Sequence, residues 1–258
     1  MAMFARSDLH VHTVLSGHSA GDLTVENVVR KCLQLRLKAL GFAEHVTNAK
    51  ELERPSLIEA CLPADPPEGL DIYVGAEVDA DPVRCDGSLV VPEKHLEGLD
   101  YVIGSIHHFP KSTLAWWKRS RDEDAQRVYE MWFEWTVRIV SNPSVDVLGH
   151  PAALLGHHKL VKDFGDERVL GDFGEIFRAA RKNGVAIELN ELVANKVGAL
   201  ADGYWRVIER AARSGVKISV GSDAHRLEDV GRLDWCRSVA SMAGLTEESL
   251  FLPAKAKR

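Results

Sequence analysis

The chemistry-bearing residues of this 258-residue chain are its histidines, 11 in all, and they fall in a pattern. His10 and His12 stand in Asp-Leu-His-Val-His, where i, i+2 spacing in an extended segment turns both side chains to one face. His18 follows six residues later in Ser-Gly-His-Ser. His45 closes Phe-Ala-Glu-His, Glu77 lies in Gly-Ala-Glu-Val-Asp, and His107 lies in Ser-Ile-His-His. His150 stands in Leu-Gly-His-Pro, and Asp223 with His225 in Ser-Asp-Ala-His. Imidazole is the commonest metal ligand and the usual acid or base near neutrality. A Ser/His/Asp triad uses only one of these histidines, and the Gly-x-Ser-x-Gly turn that presents a nucleophilic serine is absent. No strand-like run is followed by Gly-x-Gly-x-x-Gly, so dinucleotide binding is not indicated. Seven imidazoles and two carboxylates crowded together would be expensive to bury unpaired, and divalent cations remove that expense. The pattern predicts a metal centre.

These residues are far apart in sequence, so the fold must gather them. Seven β-rich runs recur along the chain: Phe4–Leu9, Ala39–Ala43, Ile72–Val78, Tyr101–Ile106, Val145–Leu148, Val185–Leu189 and Lys217–Val220. Several are continuously apolar, as strands covered on both faces are. Helical spacing appears between them. Val25–Leu37 follows Thr24, and Asp122–Val140 carries Val128, Trp132, Trp135 and Ile139 on one stripe. Val169–Lys182 and Tyr204–Arg213 each run into a Gly-containing stop, Asn183-Gly184 and Ser214-Gly215. Strands alternating with helices predict an α/β fold with a mostly parallel sheet, either closed into a barrel or open and doubly wound. In both cases active sites gather where the strands end, and six of the seven strand ends carry a His or an acid. The Pro- and acid-rich segment Val46–Gly69 reads as a long loop or lid, and Pro110–Arg121 as a polar connection. No linker or repeat divides the chain, which predicts one domain over residues 1–258.

Composition sets the outer bounds. With 45% hydrophobic residues and this length, the chain can bury a large core without disulfides. Its four cysteines form no CxxC pair and read as buried free thiols. A formal charge of −6 argues against a long nucleic acid or an anionic membrane as partner. No apolar signal-like start and no transmembrane-length run is present, so a cytoplasmic location is expected.

With its ligand-like residues in order, the chain resembles the PHP (polymerase and histidinol phosphatase) family of metal-dependent phosphoesterases. The likeness runs from His10 to His225: the opening His-x-His with a third His six residues on, the strand-end His45, Glu77, His107 and His150, and the closing Asp-x-His. It implies a distorted seven-stranded, TIM-like (β/α)7 barrel. It also implies three divalent ions, of zinc, iron or manganese. By that likeness His10, His12, Glu77 and Asp223 hold one, Glu77 as a bridge with His107 and His150 a second, and His18, His45 and His225 the third. The implied reaction is hydrolysis of a small phosphomonoester by a hydroxide shared between metals, with Glu77, Asp223 and His225 at its centre. Histidinol phosphate and sugar or nucleotide monophosphates are the substrates the likeness suggests. Three other readings compete: a phosphodiesterase or short-oligonucleotide nuclease, a metal-binding domain without turnover, and an amidohydrolase-type barrel. The last expects a metal-bridging Lys at a strand end, and none is evident.

Further roles are less sharply marked. Asp8 and Glu44 neighbour ligand histidines and are candidates to orient an imidazole, unless strand alternation turns them away. Glu188 and Asn190 occupy the strand end that lacks a metal ligand, and Asn190 is a candidate substrate contact. Arg119, Arg121, Lys196 and Arg226 are candidates to clasp a phosphate, with solvated surface charge as the plain alternative. His108 is a candidate donor to the phosphate. Trp116 and Trp117 could stack on a ring or anchor a loop.

Overall fold

The computed structural model describes residues 6–118 and 124–256. Its seven strands are β1 (Ser7–Val11), β2 (Ala39–Val46), β3 (Asp71–Asp79), β4 (Tyr101–Ser105), β5 (Val147–Leu148), β6 (Ala186–Asn190) and β7 (Ile218–Gly221). Each pairs parallel to the next, in chain order. The two ends of the sheet meet through His12 N–H to the Ala224 carbonyl at 3.2 Å and Asp223 N–H to the His10 carbonyl at 2.8 Å. The sheet is thus a nearly closed, TIM-like (β/α)7 barrel, and the open doubly wound alternative is excluded.

Alternation along β3 sorts its residues into two environments. Ile72, Val74, Ala76 and Val78 face the surrounding helices, whereas Tyr73 packs with the axial cluster of Leu9, Ala43, Tyr101 and Ile103. Tyr101 plugs the lower barrel, its hydroxyl donating to the carbonyls of Leu9 at 2.7 Å and Phe42 at 3.2 Å. Its ring lies against Gly75 so closely that a Cβ there would sit 2.5 Å from a ring carbon. An apolar floor below leaves the upper layer free for polar side chains.

The outer helices are α1 (Val25–Gln34), α2 (Arg54–Cys61), α3 (Ala125–Ile139), α4 (Ala153–His157), α5 (Glu167–Asn183), α6 (Val193–Val197), α7 (Trp205–Ser214) and α8 (Asp234–Met242). Thr24 caps α1 by accepting from Asn27 N–H, and the helix stops before the expected Leu37 because Arg36 turns left-handed at φ 56°. The α3 stripe Val128, Trp132, Trp135 and Ile139 is buried as expected. Asp122, the expected start of that helix, lies outside the described residues. Helices α5 and α7 end at Gly184 and Gly215, with φ of 76° and 73°. The expected lid Val46–Gly69 instead contains α2, which tolerates Pro55 in its first turn and buries Ile58 against the barrel. Three of the four free cysteines are buried, and Cys61 is exposed. Among the described residues no helix is long and apolar enough to cross a membrane.

Gly75→Ala is expected to destabilise the fold by about 1–3 kcal/mol, because the new methyl group must displace the Tyr101 ring. Urea unfolding of wild type and variant measures this, and equal midpoints would contradict the plug.

Candidate metal centre

Glu77 sits on β3 facing the barrel axis with no exposure to solvent, and imidazoles from four other strands or strand ends surround its carboxylate. Oε1 lies 2.8 Å from His150 Nε2 and 3.2 Å from His107 Nε2. Oε2 lies 2.8 Å from His45 Nδ1, 3.4 Å from His10 Nε2 and 3.7 Å from His12 Nε2. Ser105 Oγ donates to Oε1 at 2.7 Å and fixes the carboxylate plane. His12 Nε2 also meets Asp223 Oδ1 at 3.1 Å. The rings of His12 and His225 are 4.3 Å apart, and those of His18 and His225 4.7 Å.

All nine ligand-like residues therefore converge on one rim. Within it the closest groupings are His10–His12–Glu77, His45–Glu77–His107 and His12–His45–His225. His45 thus stands nearer Glu77 than a separate third site implies. His18 stands at the edge, with Nδ1 3.1 Å from the Ser16 carbonyl.

Two backbone positions pay a conformational cost here. Asp223 has φ 56° and His150 φ 24°, a region that side chains other than glycine rarely adopt. The pKa shifts follow from the crowding. Burial alone would raise the Glu77 carboxyl, but the imidazoles of His107, His10 and His45 outweigh it and hold it well below the usual range. Asp223 is depressed in the same way, against its burial, by His10 and His12. Burial lowers His12 well below an ordinary imidazole, with the neighbouring His45 adding to the effect. His10 is raised despite burial because Glu188, Asp223 and Glu77 surround it.

The donor set fits divalent cations. Among buried atoms, His10 Nε2, His12 Nδ1 and His225 Nε2 have no hydrogen-bond partner, and His45 Nδ1 and Glu77 Oε2 approach to 2.8 Å without the geometry of a hydrogen bond. Unpartnered nitrogen and carboxylate donors at this density are what a metal ion satisfies.

The residues that orient the imidazoles differ from those the sequence suggested. Glu188 Oε1 takes His10 Nδ1 at 2.6 Å, and its Oε2 accepts from the backbone N–H of His150 at 2.7 Å. Asp79 Oδ1 takes His107 Nδ1 at 2.6 Å. Asp79 was not anticipated, although its i+2 spacing from Glu77 places it on the same strand face. Asp8 and Glu44 orient no imidazole. A register slip between Asp8 and Val11 turns Asp8 to the Ser222 amide and hydroxyl and the Gly231 amide. Glu44 points out of the barrel to the Thr13 amide, and burial lifts its carboxyl to about 7.

Above the cluster opens a cleft to solvent. Asn190 lines it and donates to Asp223 Oδ2 at 3.3 Å. Lys196, Trp116, Trp117, Leu192 and Val193 form its wall. The other substrate-contact candidates are placed elsewhere. His108 turns to Asp79, 3.4 Å away, and Arg226 is a 71% exposed side chain beside Glu228. Arg119 and Arg121 lie outside the described residues.

The sequence profile of the PHP domain matches residues 8–192. A protein of Thermoanaerobacter sp. (strain X514), described as a probable phosphatase, is 30% identical over 248 residues, which cover 93% of this chain and 87% of that protein. A Clostridium acetobutylicum protein with the same description is 25% identical, covering 95% and 88% of the two chains. Among solved structures, histidinol phosphate phosphatase from Lactococcus lactis, complexed with zinc, L-histidinol and phosphate, superimposes with a TM-score of 0.68. The match covers 93% of this chain and 94% of that one at 16% identity, a likeness of fold.

Asp79→Ala is expected to weaken metal binding by about 10- to 100-fold, because His107 loses the acceptor that sets its tautomer and orientation. Chelator competition measures this, and an unchanged affinity would contradict the role given to Asp79.

Proposed function

The chain belongs to the PHP domain family and is a phosphatase-type hydrolase, and from that premise we propose that it hydrolyses a small phosphomonoester at a centre of three divalent ions within one domain spanning residues 1–258. The observation that carries the reading is Glu77, a fully buried carboxylate whose two oxygens face separate sets of imidazoles.

His10, His12 and Asp223 would hold one ion with Glu77 Oε2, and His107 and His150 a second with Oε1. His18, His45 and His225 would hold the third, with His45 able to reach toward Glu77 as well. An imidazole-rich donor set suits zinc, iron or manganese better than magnesium or calcium. Bound cations supply positive charge for the phosphoryl oxygens and a water of lowered pKa.

The chain's own side chains do the rest. Glu188 and Asp79 keep the Nδ1 protons of His10 and His107 on their far sides, so that each Nε2 presents a lone pair inward. Asn190 holds Asp223 through Oδ2, leaving Oδ1 for the cluster. Lys196 brings the positive charge of its side chain to the cleft through which a phosphate dianion enters. The Trp116 wall narrows the approach and keeps bulk water from the reacting face. The histidinol phosphate phosphatase of L. lactis shares the fold and was solved with zinc and phosphate, which supports a small phosphorylated substrate here.

Protein loaded with Mn²⁺ or Zn²⁺ is expected to release phosphate from members of a monoester panel. Glu77→Gln is expected to lower both turnover and metal content, turnover by more than about a hundredfold, since a bridging ligand matters more than its orienting neighbours. No phosphate release from any monoester would overturn the reading, and full activity in Glu77→Gln would overturn the bridge.

A further inference from the structure

We propose that the cleft selects phosphomonoesters whose leaving group is aromatic and carries no positive charge, with Trp117 as the ring platform and Lys196 as the charge filter. This inference rests on the phosphatase reading and deepens it.

The platform is built and held. Trp116 is buried, its indole N–H donating to the Ile106 carbonyl at 2.7 Å and its backbone N–H to the His107 carbonyl at 3.1 Å. Its own carbonyl meets His158 Nε2 at 2.6 Å. Trp117 is 46% exposed, yet its ring is gripped edge-on by Trp116 at 5.2 Å and by His107 at 5.6 Å. A large aromatic left half in water beside a candidate metal ligand, and packed edge-on against two other rings, offers a stacking face. Leu192 and Val193, at the start of α6, line the same cleft and add apolar surface beside the indoles.

The filter is Lys196. Its ammonium group lies 5.7 Å from the Trp116 ring centroid and, among the described residues, meets no carboxylate. The nearby His157 imidazole is pushed to lower pKa by burial, His158 and the Lys196 charge, and neutral or protonated it offers a ligand ammonium group no anion. Among the described residues the only carboxylate lining the cleft is Asp223, and both its oxygens are engaged, by His12 and Asn190. Glu191 is turned away, accepting from the Trp235 and Cys236 amides. An ammonium group on the leaving portion would therefore meet a like charge and, among the described residues, no unengaged acid. A carboxylate or a neutral ring would meet attraction or none.

The test uses metal-loaded full-length protein and a matched pair of aryl esters, 4-carboxyphenyl phosphate and tyramine phosphate, with phenyl phosphate, L-histidinol phosphate and glycerol 3-phosphate alongside. Attraction in one case and repulsion in the other, each worth up to about fivefold at a half-exposed site, predict a kcat/KM ratio near ~10 for carboxylate over ammonium. Lys196→Gln should bring that ratio near unity and Lys196→Glu should invert it. Trp117→Ala should lower kcat/KM for the aryl esters relative to glycerol 3-phosphate by about tenfold, the scale of a lost ring contact. L-Histidinol phosphate should behave as the ammonium ester does. Calorimetric binding of 4-carboxybenzyl- and 4-(aminomethyl)benzylphosphonate reads the same preference without turnover. Tyramine or histidinol phosphate favoured by wild type, or a ratio unmoved in Lys196→Glu, overturns the inference and leaves the phosphatase reading standing. Phosphate release from none of the esters overturns that reading, and phosphonate binding then decides the charge preference alone.

Discussion

A carboxylate sealed from water in the middle of a barrel strand is the constraint around which this molecule is arranged. Glu77 has no solvent to stabilise its charge, and desolvation on this scale is tolerated only when opposite charge is held close. Its neighbours are imidazoles, which donate charge only when protonated or metal-bound. The imidazoles must also be aimed with their lone pairs inward, which explains the second ring of acids. Glu188 and Asp79 are themselves almost wholly buried and find their partners in His10 and His107. Each layer of charge is thus stabilised by the next one out.

The backbone is recruited to the same end. Glu188 spans from the His10 ring on β1 to the amide of His150 after β5, so one side chain sets two candidate ligands from strands that are not neighbours in the sheet. Asp8 does comparable work at the seam. By accepting from Ser222 and Gly231 it binds β1 to the loop after β7, the loop that carries Asp223 and His225. The left-handed backbone at His150 and Asp223 is strain that this dense bonding sustains. Below, the Tyr101 plug supplies an apolar floor. The polar layer therefore rests on a packed core and does not open into a pore.

Much of this was legible in the sequence because the signals were topological. Strands that alternate with helices place their ends on one rim, so residues such as His45, Glu77 and Asp223 could be grouped without knowing a single distance. What escaped was side-chain direction. Asp8 was misplaced because the slip in β1 re-aims it, and no composition cue marks a bulge of that kind. Glu44 follows plain alternation away from His45, a cue that was available. Asp79 was also available, two residues beyond Glu77 on the same face. Helix α2 was hidden by its proline, which reads as a breaker unless its position in the first turn is known. Which basic residue faces the cleft depended on the fold of the connections: Lys196 on α6 does, and Arg226 does not.

The central claim is that Glu77 joins two metal ions. Anomalous diffraction from crystals of the Mn²⁺- or Zn²⁺-loaded protein, collected on either side of the metal absorption edge, tests it most directly. Two peaks should flank the Glu77 carboxylate, each within bonding distance of one of its oxygens, one beside His10, His12 and Asp223 and the other beside His107 and His150. Ordered metal elsewhere on the rim, with Glu77 bonded to none or to one ion alone, would contradict it.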